Sequence, residues 1–366
     1  MRCGRLCSRS ESKALNSCRV SDQETVHGIP CVVLENQMLK VVVLSGKGTD
    51  IYEFRDKSSD TDLLCKSRWG VTDPRTYIQD TPEPEAPFRD FYHGGWQELF
   101  PNAGNNCRYK GAELGFHGEV CKVPWEYRIT ETSPQRVSVK FLVRTVRTPF
   151  RLEKTLSLES DQPALRIEET VTNEGSEKMD FMWGHHPAFG PPFLSEDCQL
   201  FASATAVETG PPLPAEQILK PDTRFDSFPI IQREDGGDYD LSRTLPSTEG
   251  ITNLTYLTEL TGGWYCFVNN KTKLGFSLCW NHEVFRHIWL WQEFCGTPHY
   301  PWWGRAYIVG IEPHSSIPGL GLNRAIERGT QLTLEPDSSL STTLIAALFE
   351  ARGEPKGVDN DGCVTY

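Results

Sequence analysis

Through the middle of the chain, apolar and polar side chains alternate residue by residue. Val137, Val139, Phe141 and Val143 are interleaved with Ser138, Lys140 and Arg144. In an extended backbone successive side chains point to opposite faces, so this spacing predicts a strand with one face buried. The pattern resumes through Phe150, Leu152, Leu156 and Leu158, and again through Leu165, Ile167 and Val171. Asp161-Gln162-Pro163 and Asn173-Glu174-Gly175 supply the breaks, which predicts an antiparallel meander.

Further strands are predicted from Met38 to Leu44, Trp264 to Val268, Leu274 to Trp280, Ile288 to Trp291, Ala306 to Ile311, Gln331 to Leu334 and Leu340 to Phe349. Asn269-Asn270-Lys271 reads as a hairpin turn between two of them. Long helical periodicity is scarce, and 30 Gly and 25 Pro suit many turns. The expectation is an all-β chain forming one large antiparallel β-sandwich. No fixed repeat argues for a propeller. The stretch from Asp197 to Gly250 is expected as irregular loops over one domain spanning 21–351, with loose tails at 1–20 and 352–366.

The formal charge is -12, and no cluster of Lys and Arg stands out as a footprint for phosphate backbones. Neither nucleic acid nor an anionic membrane is therefore an expected partner, and a small neutral ligand fits better. No stretch is long and apolar enough for a signal core or a bilayer span, so a cytosolic protein is expected; a monomer or homodimer is expected as well. The 12 cysteines lack the paired spacing of a zinc site and are expected to be reduced; Cys3 and Cys7 are the nearest approach to one. The sequons at Asn253 and Asn270 carry no weight without a secretory signal.

Three segments set titratable residues among Gly, Pro and aromatics. The first runs from Tyr92-His93-Gly94-Gly95-Trp96-Gln97-Glu98 through Pro101-Asn102 to Phe116-His117-Gly118, and offers His93, Gln97, Asn102 and His117 as donors and acceptors for hydroxyl groups. The second is Gly184-His185-His186-Pro187-Ala188-Phe189, where strand geometry sends the two histidines to opposite faces. The third, Ile311-Glu312-Pro313, ends an apolar strand with a carboxylate, which needs a partner if it is buried; a protonated histidine is the obvious one.

These segments, in the order GG-x5-PN, F-H-G, H-x-x-F and I-E-P, resemble the aldose 1-epimerase (galactose mutarotase-like) superfamily over roughly residues 30–350. The resemblance implies a β-supersandwich and a mutarotase that interconverts the α and β anomers of a free aldose without cofactor or metal. It implies Glu312 as general base, His186 as general acid with His185 the second choice, and His117 as a holder of the sugar ring. His93, Gln97, Asn102, His185 and Trp291 are the expected sugar contacts. Relatives that act on hexose 6-phosphates carry an arginine where this chain has His93, which counts against a phosphorylated sugar. Arg108 and Lys110 are the nearest cations to the motifs should the sugar be modified, and a non-catalytic carbohydrate-binding protein is the third reading.

Trp289 and Trp291 share a strand face, and Trp96, Trp280, Trp302 and Trp303 lie near the same segments. Tryptophan suits the apolar face of a pyranose, and Trp291 is the one expected to touch sugar. His282-Glu283-Val284-Phe285-Arg286-His287 has one residue too many for a zinc-binding HExxH helix. Ser45-Gly46-Lys47-Gly48-Thr49 and Gly319-Leu320-Gly321 lack the rest of any phosphate-loop fingerprint and read as turns.

Overall fold

The computed structural model describes residues 17–77, 83–212 and 218–366. Two antiparallel sheets dominate it. In the larger sheet, the strands Asp50–Asp56, Trp96–Leu99, Gly184–Phe189, Tyr307–His314, His287–Phe294 and Ile251–Thr258 lie side by side in that order. The second sheet carries the predicted meander, Arg136–Arg144, Phe150–Glu159 and Ala164–Asn173, continued by Ser339–Glu350, Leu274–Trp280 and Trp264–Asn269. The meander pairs in unbroken register, with Val139 opposite Leu156 and Leu156 opposite Ile167. Its alternating residues therefore present one continuous apolar face.

That face packs on the larger sheet through edge-on aromatic contacts. Phe54, Trp96 and Phe189 of one sheet meet Phe276 of the other at centroid distances of 5.4, 6.3 and 5.1 Å. This is the expected β-sandwich. Cys31, Cys65, Cys121 and Cys266 are buried free thiols within the packing. Cys3 and Cys7 lie outside the described residues.

Two expectations need correction. The stretch from Asp197 to Gly250 is not only loop: Cys198–Ala202 adds a strand to the second sheet and Ala206–Thr209 adds one to the larger sheet. Its turn-rich composition hid both strands, because each is only four or five residues long. The termini also do more than hang loose. Arg19–Ser21 pairs with Val33, Leu34 and Glu35, and Gly357–Val358 pairs with Val364–Thr365. The Ser277 hydroxyl donates to the Gly362 carbonyl at 3.0 Å, fastening the C-terminal hairpin to the second sheet. Among the described residues no helix is long and apolar enough to cross a membrane.

Candidate active site

The strand Gly184–Phe189 is the hinge of the site, because its two-residue period separates the paired histidines. His185 faces the second sheet: its Nε2 meets Glu169 Oε2 at 3.0 Å, and its Nδ1 accepts from the Trp96 indole at 3.1 Å. Trp96 thus leaves the Nε2 proton to Glu169. Glu169 in turn lies in a buried charge cluster, where Lys154 Nζ stands 2.5 Å from Glu98 Oε2 and 3.7 Å from Glu169. His185, expected among the sugar contacts and as a second choice of acid, is instead committed to the interior between the sheets.

His186 faces the other way. Its Nε2 lies 3.5 Å from Glu312 Oε1, on the neighbouring strand Tyr307–His314. The carboxylate approaches this closely because Gly310, two residues earlier on the same face, has no side chain; a Cβ there would stand 2.7 Å from Glu312 Oε1. His314, two residues later on that face, brings its Nε2 to 3.6 Å from Glu312 Oε2. His117 joins from a loop, its ring 5.5 Å from that of His186. The Gly104 amide donates to His117 Nδ1 at 3.0 Å, so the neutral imidazole carries its proton on Nε2 and serves as a fixed donor.

Aromatic rings close around these groups. Trp291 lies 5.9 Å from His186, Tyr92 lies 5.7 Å from it, and Trp302 stands 5.4 Å from both Trp291 and Tyr92. Burial has electrostatic consequences, since taking a charge out of water favours the neutral form. It pushes the Glu312 carboxyl well above the usual carboxylate range and lowers His186 to about 4. Burial, then the neighbouring histidines, push His117 and His314 well below the ordinary imidazole value. Burial thus works against the expected ion pair of Glu312 and a protonated His186 and favours the neutral form of each. Tyr92 Oη, His186 Nδ1, Glu312 Oε2 and both nitrogens of His314 have no hydrogen-bond partner among the described residues. Buried polar groups in folded proteins are normally hydrogen-bonded, so these atoms can accept or donate to a polar ligand.

Residues 26–347 match the family described as "Domain of unknown function (DUF4432)". The chain belongs to that family. No curated protein matches the sequence. Among solved structures, the DUF4432 chain is similar to the Slr1438 protein of Synechocystis sp. PCC 6803, at 19% identity and a TM-score of 0.63, covering 90% of this chain and 99% of that one. It is similar to a Klebsiella pneumoniae protein put forward as an aldose 1-epimerase, at 13% identity and a TM-score of 0.68, covering 90% and 81%. A galactose mutarotase-like protein of Lactobacillus casei matches at 16% identity and 0.58, covering 87% and 100%. At these identities the likeness speaks for the fold, which is the galactose mutarotase-like sandwich.

The remaining expected residues of the DUF4432 chain divide sharply. Gln97 pairs across the strands with His186, but its amide donates to the Gly94 carbonyl at 2.7 Å and reaches Asp50 at 3.4 Å, leaving Oε1 without a partner among the described residues. His93 sits one step behind it, 3.5 Å from Asp50, and burial and the nearby lysines push it well below its ordinary pKa. Asn102 is used up as a clamp: Nδ2 donates to the carbonyls of Asn105 and Gly115, and Oδ1 accepts from the Leu322 amide. It has nothing left for a ligand, contrary to expectation. Arg108 is exposed on a separate hairpin and Lys110 donates to the Lys178 carbonyl, so neither serves this site. Sequence reading missed His314 and Tyr92. The signal for His314 was its spacing of two from Glu312, which puts both on one strand face; Tyr92 had none beyond its neighbours.

Proposed function

We propose that the protein is an aldose 1-epimerase, a mutarotase that interconverts the α and β anomers of an aldose. The observation that carries this reading is the meeting of His186 Nε2 and Glu312 Oε1 at 3.5 Å. Both groups are among the family-type residues expected from the sequence. The similarity to galactose mutarotase-like structures supports the same reading.

The chemistry needs one proton donor and one acceptor. Opening the ring takes the proton from the anomeric hydroxyl, breaks the bond between C1 and the ring oxygen, and delivers a proton to that oxygen. Rotation about C1–C2 followed by the reverse transfers closes the ring as the other anomer. One proton shared by Glu312 and His186 suffices. With Glu312 as carboxylate and His186 protonated, the pair opens the ring, Glu312 ending as the acid and His186 as the base. The neutral pair that burial favours is thus the distribution reached with the open aldehyde, and ring closure restores the other. General acid and base contributions of ~10²–10⁴ each account for a useful acceleration of a reaction that water already performs.

His117, with its proton fixed on Nε2, and His314 bracket the pair as further hydrogen-bonding groups, and Trp291 offers a ring face for the sugar. The test is polarimetry or NMR on freshly dissolved single anomers of common hexoses and pentoses. Faster approach to equilibrium with the wild type, absent with Glu312→Gln, is the expected result. No acceleration with any of the sugars would refute the assignment.

A further inference from the structure

A cavity of about 500 Å³ adjoins the site, and Tyr92 and Trp302 are common to its wall and the site's surroundings; Ile308 also lines it. Ile308 and Glu312 lie on one face of the same strand, four residues apart. At ~3.3 Å per residue that is ~13 Å. Arg68 and Arg305, both exposed, also line this cavity. The two come from loops that are tied to each other: the Trp69 indole donates to the Pro301 carbonyl at 3.1 Å.

Among the described residues neither guanidinium is paired with a carboxylate. This differs from Lys66 on the same wall, whose Nζ is held 2.5 Å from Asp62. Cys295 lines the same cavity as the two arginines. Burial and Glu293 raise its thiol pKa, and Arg68 and Arg305 both pull it down. Glu293 itself is engaged by the amide and hydroxyl of Thr297. In a chain of formal charge -12, two guanidinia that line one cavity without a carboxylate partner among the described residues form a local reversal of sign. Planar guanidinium forks suit carboxylate, sulfate and phosphate groups, which accept paired hydrogen bonds.

We propose that Arg68 and Arg305 form an anion subsite, and that the sugar taken by this site carries a carboxylate, sulfate or phosphate remote from its anomeric carbon. The proposal rests on the mutarotase reading for the orientation of the sugar, and it replaces Arg108 and Lys110 as the cationic candidates. Titration calorimetry on the full-length protein tests it with glucose and galactose, their uronates, their 6-sulfates and their 6-phosphates. Anionic forms are expected to bind at least about tenfold more tightly than the neutral parents, with the preference weakening at higher salt. Arg68→Gln and Arg305→Gln should each remove about tenfold of that preference, whereas Arg128→Gln, on an exposed strand of the second sheet, should leave it unchanged. The ranking of uronate, sulfate and phosphate identifies the anion.

Equal affinity for neutral and anionic sugars overturns the subsite, and so does a preference that survives both arginine substitutions. Inorganic phosphate binding as tightly as the sugar phosphates overturns its role in sugar recognition. Anomerisation of neutral aldoses without any anion preference would remove the subsite and keep the enzyme. An arginine-dependent preference without anomerisation would do the reverse.

Discussion

The imidazole of His314 lies flat on the indole of Trp289, with ring centroids 3.8 Å apart and planes 12° from parallel. Its cross-strand neighbour is Gly184, where a Cβ would stand 2.1 Å from the imidazole. Gly184 therefore makes the room in which His314 reaches Glu312. Gly184→Ala is expected to displace the ring, to cost ~1–3 kcal/mol as overpacking does, and to lower turnover more than sugar affinity. Urea denaturation and anomerisation rates check it, and an alanine variant indistinguishable from wild type would break the link.

Glu312→Gln keeps the shape of the side chain and removes its ability to take a proton. Anomerisation is expected to fall by ~10²–10⁴. Because burial raises the Glu312 pKa, the folded protein holds this proton more tightly than the unfolded chain does, and above the ordinary carboxylate value the group opposes folding. The variant should thus melt at a higher temperature than wild type at pH 7. A calorimetric scan reads the sign, and a lower Tm would contradict the burial argument.

His185 and His186 should fail differently. His186→Gln is expected to lose turnover while remaining folded. His185→Gln removes a buried hydrogen bond to Glu169 and should cost about 1.5–3 kcal/mol of stability, with turnover per folded molecule largely retained. Paired measurement of Cm and rate separates the two, and equal loss of turnover in both would undo the assignment of faces.

The lowered pKa of His186 predicts an acid-side loss of stability. Between the ordinary value near 6.5 and about 4, the unfolded chain binds a proton that the folded site refuses. The contribution is intact above that window and is lost as pH falls through it. Glu312 acts with the opposite sign, losing stability as pH rises above the ordinary carboxylate value. His186→Gln should therefore reduce the drop in stability between pH 7 and pH 4.5 by ~2 kcal/mol. Denaturation curves at the two pH values decide; an unchanged drop would show that the imidazole is not buried neutral.

Lys154 bridges the two sheets through Glu98, and burial with the Glu169 carboxylate pushes the Glu98 carboxyl up. Lys154→Met would leave two buried carboxyl groups without their cation and is expected to cost ~3–5 kcal/mol. Pairing it with Glu98→Gln should recover part of the loss. A single variant as stable as wild type would argue that these carboxyl groups are neutral throughout.

Much of the sheet framework was legible because period-two alternation is a property of neighbouring residues. Arg136–Arg144 and Ala164–Asn173 follow directly from where Val, Phe, Leu and Ile recur. The short strands Cys198–Ala202 and Ala206–Thr209 were not legible, since four or five residues among turn formers carry too little periodicity. His117, His186 and Glu312 stood out because titratable groups next to Gly, Pro and aromatics break the strand pattern. Asn102 stood out for the same reason and proved to be a loop clamp, because an amide beside glycines suits backbone carbonyls as well as a ligand.

By itself the sequence determined the two-sided strands, the opposed directions of His185 and His186, and the presence of a carboxylate on a buried strand, all consequences of local covalent geometry. Only the tertiary structure decided which histidine meets Glu312, that His314 and Tyr92 stand with them, that burial favours the neutral forms of the pair, and that Arg68 and Arg305 share one cavity. The reason is physical: strand neighbours in a sheet are chosen by long-range pairing, and the proton affinity of a side chain is set by what surrounds it in space.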